Sequence, residues 1–143
     1  MKILSISFKN FNSYGNKVQI IEFPRDQSGF FHVVGQNGFG KTTISEAIKF
    51  GLYGKVDGKK LKDITNRING GDWVRITLIS KNKEVIVESG VDAIFINLWV
   101  DGVPFDKANN LGTREYLNVA LLDIPFTVFN NIVSLSIIDF KSF

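Results

Sequence analysis

Gly35-Gln36-Asn37-Gly38-Phe39-Gly40-Lys41-Thr42-Thr43 is the stretch of sequence that decides the fold. It satisfies the pattern G-x-x-x-x-G-K-[ST], which in phosphate-binding loops follows a strand and opens a helix. Glycines let backbone amides turn toward phosphate oxygens, and the amino end of a helix adds donors and a partial positive charge. At this composition the pattern is expected by chance only about 0.01 times. The stretch therefore predicts a phosphate-binding loop, and residues 35–42 are called the glycine loop below.

The flanks of the glycine loop have the expected periodicity. Residues 30–34 form a short apolar run that predicts a strand buried on both faces, with His32 as a core residue rather than a ligand. After the loop, apolar residues recur at helical spacing, and Gly54 suits the position just past a helix end. We expect a helix over residues 42–53.

Alternation of apolar and polar residues predicts further strands. Residues 2–8 and 18–23 favour a hairpin, and residues 73–80, 84–88 and 94–100 favour an antiparallel meander that turns at Asp101-Gly102. Trp73 and Trp99 lie within these strands, where core packing is more common than base stacking. Helical spacing covers residues 113–122 and 126 to about 135.

Composition narrows the possible functions. The 143 residues are 44% apolar, which fits one globular domain. The chain has no cysteine and a single histidine, so disulfide, thiolate and histidine-cluster chemistry are excluded. No apolar run is long enough for a membrane span or a signal peptide, which predicts a cytoplasmic protein without a membrane partner. The charge is +5 over residues 1–72 (11 basic, 6 acidic) and −2 thereafter (6 basic, 8 acidic), which permits contact with phosphate without requiring it.

The first third of the chain resembles a known family. The residues that carry the resemblance are Lys9-Asn10-Phe11-Asn12-Ser13-Tyr14, Ile21-Glu22-Phe23, Val34-Gly35-Gln36-Asn37-Gly38-Phe39-Gly40-Lys41-Thr42-Thr43, and Glu46-Ala47-Ile48-Lys49-Phe50-Gly51-Leu52-Tyr53-Gly54. In order and spacing they are similar to the amino-terminal half of the SbcC-type ATPases of double-strand-break repair nucleases. That family is related to the SMC and RecF ATPases and includes the large subunits of phage recombination endonucleases. If the chain is encoded by a phage, the cytoplasm is that of the host.

The resemblance implies an α/β P-loop NTPase fold, similar to one lobe of an ABC-class ATPase head, with a mixed and antiparallel sheet. It implies that residues 1–143 form a single amino-terminal lobe that is incomplete without a carboxy-terminal half. ATP and Mg²⁺ are the implied ligands. Lys41 is the implied catalytic residue and Thr42 the implied metal ligand. The implied nucleotide-binding residues are Asn12, Ser13, Gly35, Gln36, Asn37, Gly38, Phe39, Gly40, Lys41, Thr42 and Thr43.

The sequence departs from the family pattern in three places. Relatives often carry arginine at the position of Asn12, and an alternative interpretation of Asn12 and Ser13 is a plain hairpin turn. No glutamine follows Gln36, and Ile137 stands where the family has one, with Ser136 and Asp139 as the nearest polar residues. Ile124 stands where a catalytic glutamate would follow an apolar strand, and the residues before it have helical spacing. We therefore expect weak or no ATP hydrolysis by this chain alone.

Four lysines, Lys55, Lys59, Lys60 and Lys62, lie within eight residues, which predicts either a solvated face or a contact with double-stranded DNA. The favoured function is an ATP- and Mg²⁺-binding lobe of a DNA repair and recombination nuclease ATPase, acting with a second head and a nuclease subunit. Two alternatives stay open: an SMC-type DNA-tethering ATPase without a nuclease, and a self-sufficient P-loop kinase.

Overall fold

The computed structural model describes residues 1–26, 29, 31–36, 38, 40–92, 94–105 and 109–133, without the side chains of 132 and 133. Within these residues a single sheet holds six strands in the order β2-β1-β3-β4-β5-β6. All neighbouring strands pair antiparallel. The strands are β1 (Lys2–Lys9), β2 (Gln19–Glu22), β3 (Trp73–Ser80), β4 (Lys83–Gly90), β5 (Phe95–Val100) and β6 (Val103–Phe105). The predicted hairpin and meander are confirmed, with ends shifted by one or two residues.

The alternating pattern places one face of the sheet in the core. Ile6, Ile76, Val87 and Leu98 lie in register across four strands and are almost completely buried. The neighbouring positions Ser7, Arg75, Glu88 and Asn97 form a row on the opposite face. Burying each aliphatic side chain stabilises the fold by about 1.5–3 kcal/mol, so the register follows from the hydrophobic alternation.

Helix α1 (Lys41–Tyr53) packs against the core face of the sheet, mainly on β3 and β4. It begins directly at Lys41, and its carboxyl end is closed by Gly54 at φ 69°, whose amide donates to the carbonyl of Phe50 at 2.7 Å. A left-handed residue at this position is the role predicted for Gly54. The helix predicted from the sequence is therefore confirmed.

Two further helical segments complete the described chain. α2 (Asn110–Glu115) is capped by Asn109, whose side chain accepts from the Gly112 amide at 2.8 Å. It continues as a π-helix over Tyr116–Leu122, and after a break α3 (Phe126–Val128) continues as a π-helix over Phe129–Val133. The residues before Ile124 are therefore helical, as their spacing predicts, and they do not form the apolar strand that precedes a catalytic acid. None of the described helices is long and apolar enough to cross a membrane.

The buried strand predicted over residues 30–34 is wrong for the residues that are described. Residues 31–36 have no regular secondary structure, and all of them are exposed, including His32. Phe31, Val33 and Val34 are 51%, 50% and 81% exposed. A strand buried on both faces needs neighbours that hydrogen-bond to it, and the described sheet ends at β2 and β6 without pairing with this segment.

The two tryptophans also differ from expectation. Trp73 and Trp99 are only half-buried. Trp99 pairs with Ile86 and Pro104 on the sheet face opposite Val87 and Leu98. Core packing was predicted from the strand pattern, but a period of two assigns a residue to a face without saying which face is covered.

Candidate functional site

Positive φ angles mark the described part of the glycine loop. Gly38 and Gly40 adopt φ of 86° and 81°, a left-handed region that glycine enters without steric cost. Gly40 is also the N-cap of α1, and no side chain caps this end of the helix. The first turn of α1 contains no acidic residue, so its positive end faces the loop without a neighbouring carboxylate in that turn. Asn37 and Phe39 lie outside the described residues.

The side chain of Lys41 folds back into the loop. Its Nζ donates hydrogen bonds to the carbonyl of Gly35 and to the carbonyl of Gln36, the latter at 2.9 Å. A Cβ built on Gly35 would lie 3.7 Å from the Lys41 side chain. The Lys41 ammonium group thus contacts two loop carbonyls at the start of α1, where Thr42 is exposed and Thr43 is buried.

The second glycine of the pattern lies against Tyr14. A Cβ built on Gly40 would lie 2.7 Å from Cε2 of Tyr14 and 2.9 Å from its hydroxyl. The Tyr14 ring is held by an edge-on contact with Phe8, with 5.1 Å between ring centroids. The loop after β1 therefore covers the start of α1, and only glycine fits at position 40.

Asn12 links three segments around the glycine loop. Its Nδ2 donates to Thr43 Oγ1 at 3.4 Å and to the carboxylate of Glu46, and its Oδ1 accepts from Lys59 Nζ at 3.3 Å. Lys59 Nζ also forms an ion pair with Glu46 at 2.8 Å, where Glu46 is only 14% exposed. Ser13, by contrast, is exposed.

The backbone of Asn12 is fixed as well. It has φ of 53°, its amide donates to the Ile64 carbonyl at 2.6 Å, and its carbonyl accepts from Asn66 Nδ2 at 3.1 Å. Asn and Asp tolerate the left-handed region better than other non-glycine residues. The Asn12 and Ser13 turn is thus anchored to the segment after α1, and Asn12 contacts α1 directly.

The four lysines predicted to form a solvated face or a DNA contact differ in their local partners. Lys55 lies over the ring of Phe126, 4.4 Å from the centroid, and Lys59 is engaged with Glu46 and Asn12. Lys60 and Lys62 are exposed; Lys60 precedes the short 3-10 helix Leu61–Asp63, and Lys62 lies within it. Two of the four lysines therefore have partners within the described chain, and the contact with DNA stays a prediction.

Sequence reasoning missed the roles of Glu46 and Tyr14. Glu46 is a helix residue one turn after Thr42, so its position on the loop side of α1 could have been found from helical periodicity. The Tyr14 contact had no local signal, because 26 residues separate it from Gly40 in the chain. Ser136, Ile137 and Asp139, named for the family's glutamine loop, lie outside the described residues.

A family model described as an AAA domain matches residues 5–103, which is more than half of the chain. The chain belongs to the AAA domain family. Among curated proteins, this AAA domain is 29% identical over 109 residues to Exonuclease subunit 2 of Escherichia phage RB69, covering 75% of the chain and 19% of that protein. It is 35% identical over 106 residues to the Chromosome partition protein Smc of Pyrococcus furiosus, covering 73% of the chain and 8% of that protein. The chain thus spans less than a fifth of either relative.

Solved structures show the same fold. A structure described as "Structural biochemistry of ATP-driven dimerization and DNA stimulated activation of SMC ATPases" has a TM-score of 0.58 and 22% identity, covering 84% of this chain and 79% of that chain. The recombination mediator RecF, solved with ATP, also has a TM-score of 0.58, with 23% identity over 73% of this chain and 28% of that chain. These similarities confirm the predicted α/β P-loop fold and the resemblance to the amino-terminal half of SbcC-type ATPases. The AAA domain is therefore an ATPase domain related to SMC proteins and to a phage exonuclease subunit.

Proposed function

We propose that this AAA domain binds ATP and Mg²⁺ as the amino-terminal lobe of an ATPase head in a DNA repair and recombination nuclease. The observation that carries the proposal is the contact of Lys41 Nζ with the Gly35 and Gln36 carbonyls of the glycine loop, at the amino end of α1 that no side chain caps. The relationship to Exonuclease subunit 2 supports the nuclease assignment.

The loop fits a triphosphate. Gly38 has a left-handed backbone with open space around the position of a Cβ, so phosphate oxygens can approach its backbone closely. Lys41 would exchange the neutral carbonyls of Gly35 and Gln36 for negatively charged phosphate oxygens, so that both the donor and the acceptor of each bond would carry a charge. In this role Lys41 and the loop amides stabilise charge on the transferring phosphoryl group. Asn37, Phe39 and Thr43 complete the proposed loop contacts.

The position of the Thr42 hydroxyl is suited to binding Mg²⁺. It is exposed at the first turn of α1, next to the loop that would hold the phosphates, and a hydroxyl oxygen is the type of ligand that Mg²⁺ accepts alongside phosphate and water. Bound Mg²⁺ would neutralise charge on the phosphate oxygens. Asn12, fixed through Thr43 and Glu46, would keep the turn that includes Ser13 over the nucleotide.

A carboxy-terminal half is the proposed partner that completes the head. Its proposed docking region contains the exposed apolar residues Phe31, Val33 and Val34, which lack strand neighbours in the described sheet. Next to them is a cavity of about 340 Å³ lined mainly by apolar residues, and Lys41 reaches it: Met1, Ile3, Val33, Lys41, Ile44, Ser45, Ile48 and Phe129. An apolar surface of this kind marks an interaction site in a soluble protein. Two such heads would engage through bound ATP, and hydrolysis would release them.

The test of nucleotide binding is a titration with a fluorescent ATP analogue. We expect Lys41→Ala to abolish saturable binding, and Lys60→Ala, at an exposed lysine outside the loop, to leave it unchanged. Thr42→Ala should remove only the part of the affinity that depends on Mg²⁺. Equal affinities of the wild type and Lys41→Ala would overturn the proposal.

The half-head assignment has its own measurement. ATP turnover by this chain should be close to background and should rise when the carboxy-terminal half is co-expressed. Turnover of about 1 s⁻¹ or more by this chain alone, an ordinary enzymatic rate, would contradict it.

The relationship to Smc supports a second candidate, a DNA-tethering ATPase without a nuclease. A physically associated nuclease subunit in a pull-down with the full protein favours the first function. In either case Lys60 and Lys62 are the proposed DNA contacts. Lys62→Ala should lower the slope of log affinity against log salt by about 1.

A further inference from the structure

A second cavity lies on the far side of α1 from Met1 and Val33. It has a volume of about 270 Å³ and is enclosed by the carboxyl end of α1, the turn between β4 and β5, and the start of α2. Its lining is mostly apolar, and three aliphatic residues at it are exposed: Leu61, Ile94 and Leu111, at 40%, 74% and 77%. Exposed aliphatic residues grouped around one cavity are a feature of binding sites rather than of an ordinary surface.

The polar group that distinguishes this cavity is the guanidinium of Arg114. Its Nη1 donates to the carbonyl of Gly51 at 2.7 Å, and its Nη2 donates to Ser89 Oγ at 3.0 Å. A guanidinium carries five N–H donors, so these two bonds leave donating capacity. Among the described carboxylates, none forms an ion pair with Arg114.

The charge of Arg114 is poorly compensated by its surroundings. Burial lowers the pKa of Arg114 to about 10, because desolvation disfavours the charged form. The guanidinium is still charged at neutral pH, and the carbonyl end of α1 stabilises it only in part. A carboxylate that entered the cavity would gain a charge-assisted, potentially bidentate contact in a region of low dielectric.

The volume of the cavity and its apolar lining indicate which class of ligand it can bind. Pockets for drug-sized molecules are roughly 300–1,000 Å³, so this one has room for one or two side chains. Apolar walls disfavour a hydrated inorganic anion, since its water shell would be removed without replacement. A ligand with a carboxylate next to an aliphatic or aromatic side chain can hydrogen-bond to the guanidinium and pack against the apolar lining at the same time.

We propose that this cavity docks an acidic peptide segment of a partner protein, with one carboxylate on Arg114 and a neighbouring apolar side chain against Leu111 and Ile94. The site is separate from the glycine loop and goes beyond the proposed nucleotide function. It gives the ATPase head a recognition surface for a second protein that does not compete with ATP.

The probe is a fluorescein-labelled, end-capped peptide of sequence Gly-Leu-Asp-Leu-Gly. The control is the same peptide with Asn in place of Asp, which removes the negative charge. Binding to the full protein without nucleotide is measured by fluorescence anisotropy. We expect the Asp peptide to bind saturably and about tenfold more tightly than the Asn peptide.

Leu111 and Val119 are exposed, so serine at either position tests binding without disturbing the core. Leu111→Ser should weaken binding of the Asp peptide about fivefold, from the loss of buried apolar area. Val119→Ser, at a position 65% exposed and outside the cavity lining, is the matched control and should have no effect. Arg114→Lys keeps the charge but loses the planar fork, and should weaken binding of the Asp peptide while leaving binding of the Asn peptide unchanged.

Three results would each overturn the proposal: equal affinity for the Asp and Asn peptides, equal effects of Leu111→Ser and Val119→Ser, or no saturable binding up to about 1 mM. ATP affinity is measured in the same samples, so that a failure of this site is distinguished from a failure of the glycine loop.

Discussion

Gly51→Ala tests how closely α1 packs on the sheet, and therefore how the glycine loop at its other end is held. A Cβ built on Gly51 would lie 2.4 Å from Ile76 Cδ1, 3.1 Å from Ile76 Cγ1 and 3.2 Å from Val74 Cγ1. Ile76 and Val74 are completely buried, so neither side chain has free space to move into.

Two effects of opposite sign decide the magnitude. Alanine is favoured over glycine in a helix interior by about 1 kcal/mol, whereas an added methyl group in a packed core costs about 1–3 kcal/mol. We expect Gly51→Ala to lower the free energy of unfolding by about 0–2 kcal/mol. If helix propensity were the only effect, Gly51→Ala would instead raise the free energy of unfolding.

A double-mutant cycle separates these effects. Ile76→Val removes the Cδ1 atom that lies nearest to the new methyl group, and alone it should cost about 0.5–1.5 kcal/mol. Because the methyl group of Ala then occupies part of the vacated space, Gly51→Ala/Ile76→Val should be more stable than the sum of the single changes by at least about 1 kcal/mol.

Urea denaturation followed by circular dichroism measures all four free energies. The matched control is Gly51→Ala/Ile96→Val, since Ile96 is a buried isoleucine on β5 outside the set of atoms that meet the new Cβ. That pair should be additive within about 0.5 kcal/mol. If the pair with Ile76→Val is equally additive, the close contact between α1 and β3 described above does not exist.

The remaining predictions concern the glycine loop, a buried phenol and a turn. Gly40→Ala should weaken ATP binding more than Gly38→Ala, because both glycines have positive φ but only Gly40 would meet the Tyr14 ring; equal losses would refute the role of that contact. Burial raises the pKa of Tyr53 from 10.0 to about 12, so the folded state keeps a proton that the unfolded chain releases. The stabilising contribution of Tyr53, measured as the difference in the free energy of unfolding between the wild type and Tyr53→Phe, should be complete below pH 10 and fall between pH 10 and 12, and the phenolate absorbance of Tyr53→Phe should lack a titration step at about pH 12. Asn82→Gly should raise the free energy of unfolding by roughly 0.5–1 kcal/mol, since the β3–β4 turn holds residue 82 at φ 60°; thermal denaturation checks it, and a lower melting temperature would contradict the prediction.

Much of the candidate site was predictable because its signals are local. Gly38 and Gly40 need left-handed backbone, Lys41 must follow the last glycine, and the apolar residues after it repeat at the period of a helix; each requirement is met within about 20 residues. The antiparallel strands were equally accessible, since alternation such as that of Ile6 and Phe8 marks one face of a sheet.

Contacts between distant segments were not predictable in this way. The lysine-rich segment predicts a solvated face or a DNA contact for Lys59 and gives no sign of its partners Glu46 and Asn12, which are 13 and 47 residues away. Arg114 reaches the carbonyl of Gly51, 63 residues away. No local pattern encodes such pairs, because a long flexible side chain takes whichever partner the fold brings near.

The amino-acid sequence by itself determined the glycine loop, the helix that follows it and the antiparallel strand pattern, because these depend on backbone preferences and on short hydrophobic periods. Only the tertiary structure decided which apolar segments are covered. Residues 31–34 have the composition of a buried strand and yet are exposed, since burial is a property of the neighbouring strands and not of the segment. The same reason explains Arg114, whose environment exists only once α1, β4 and α2 have come together.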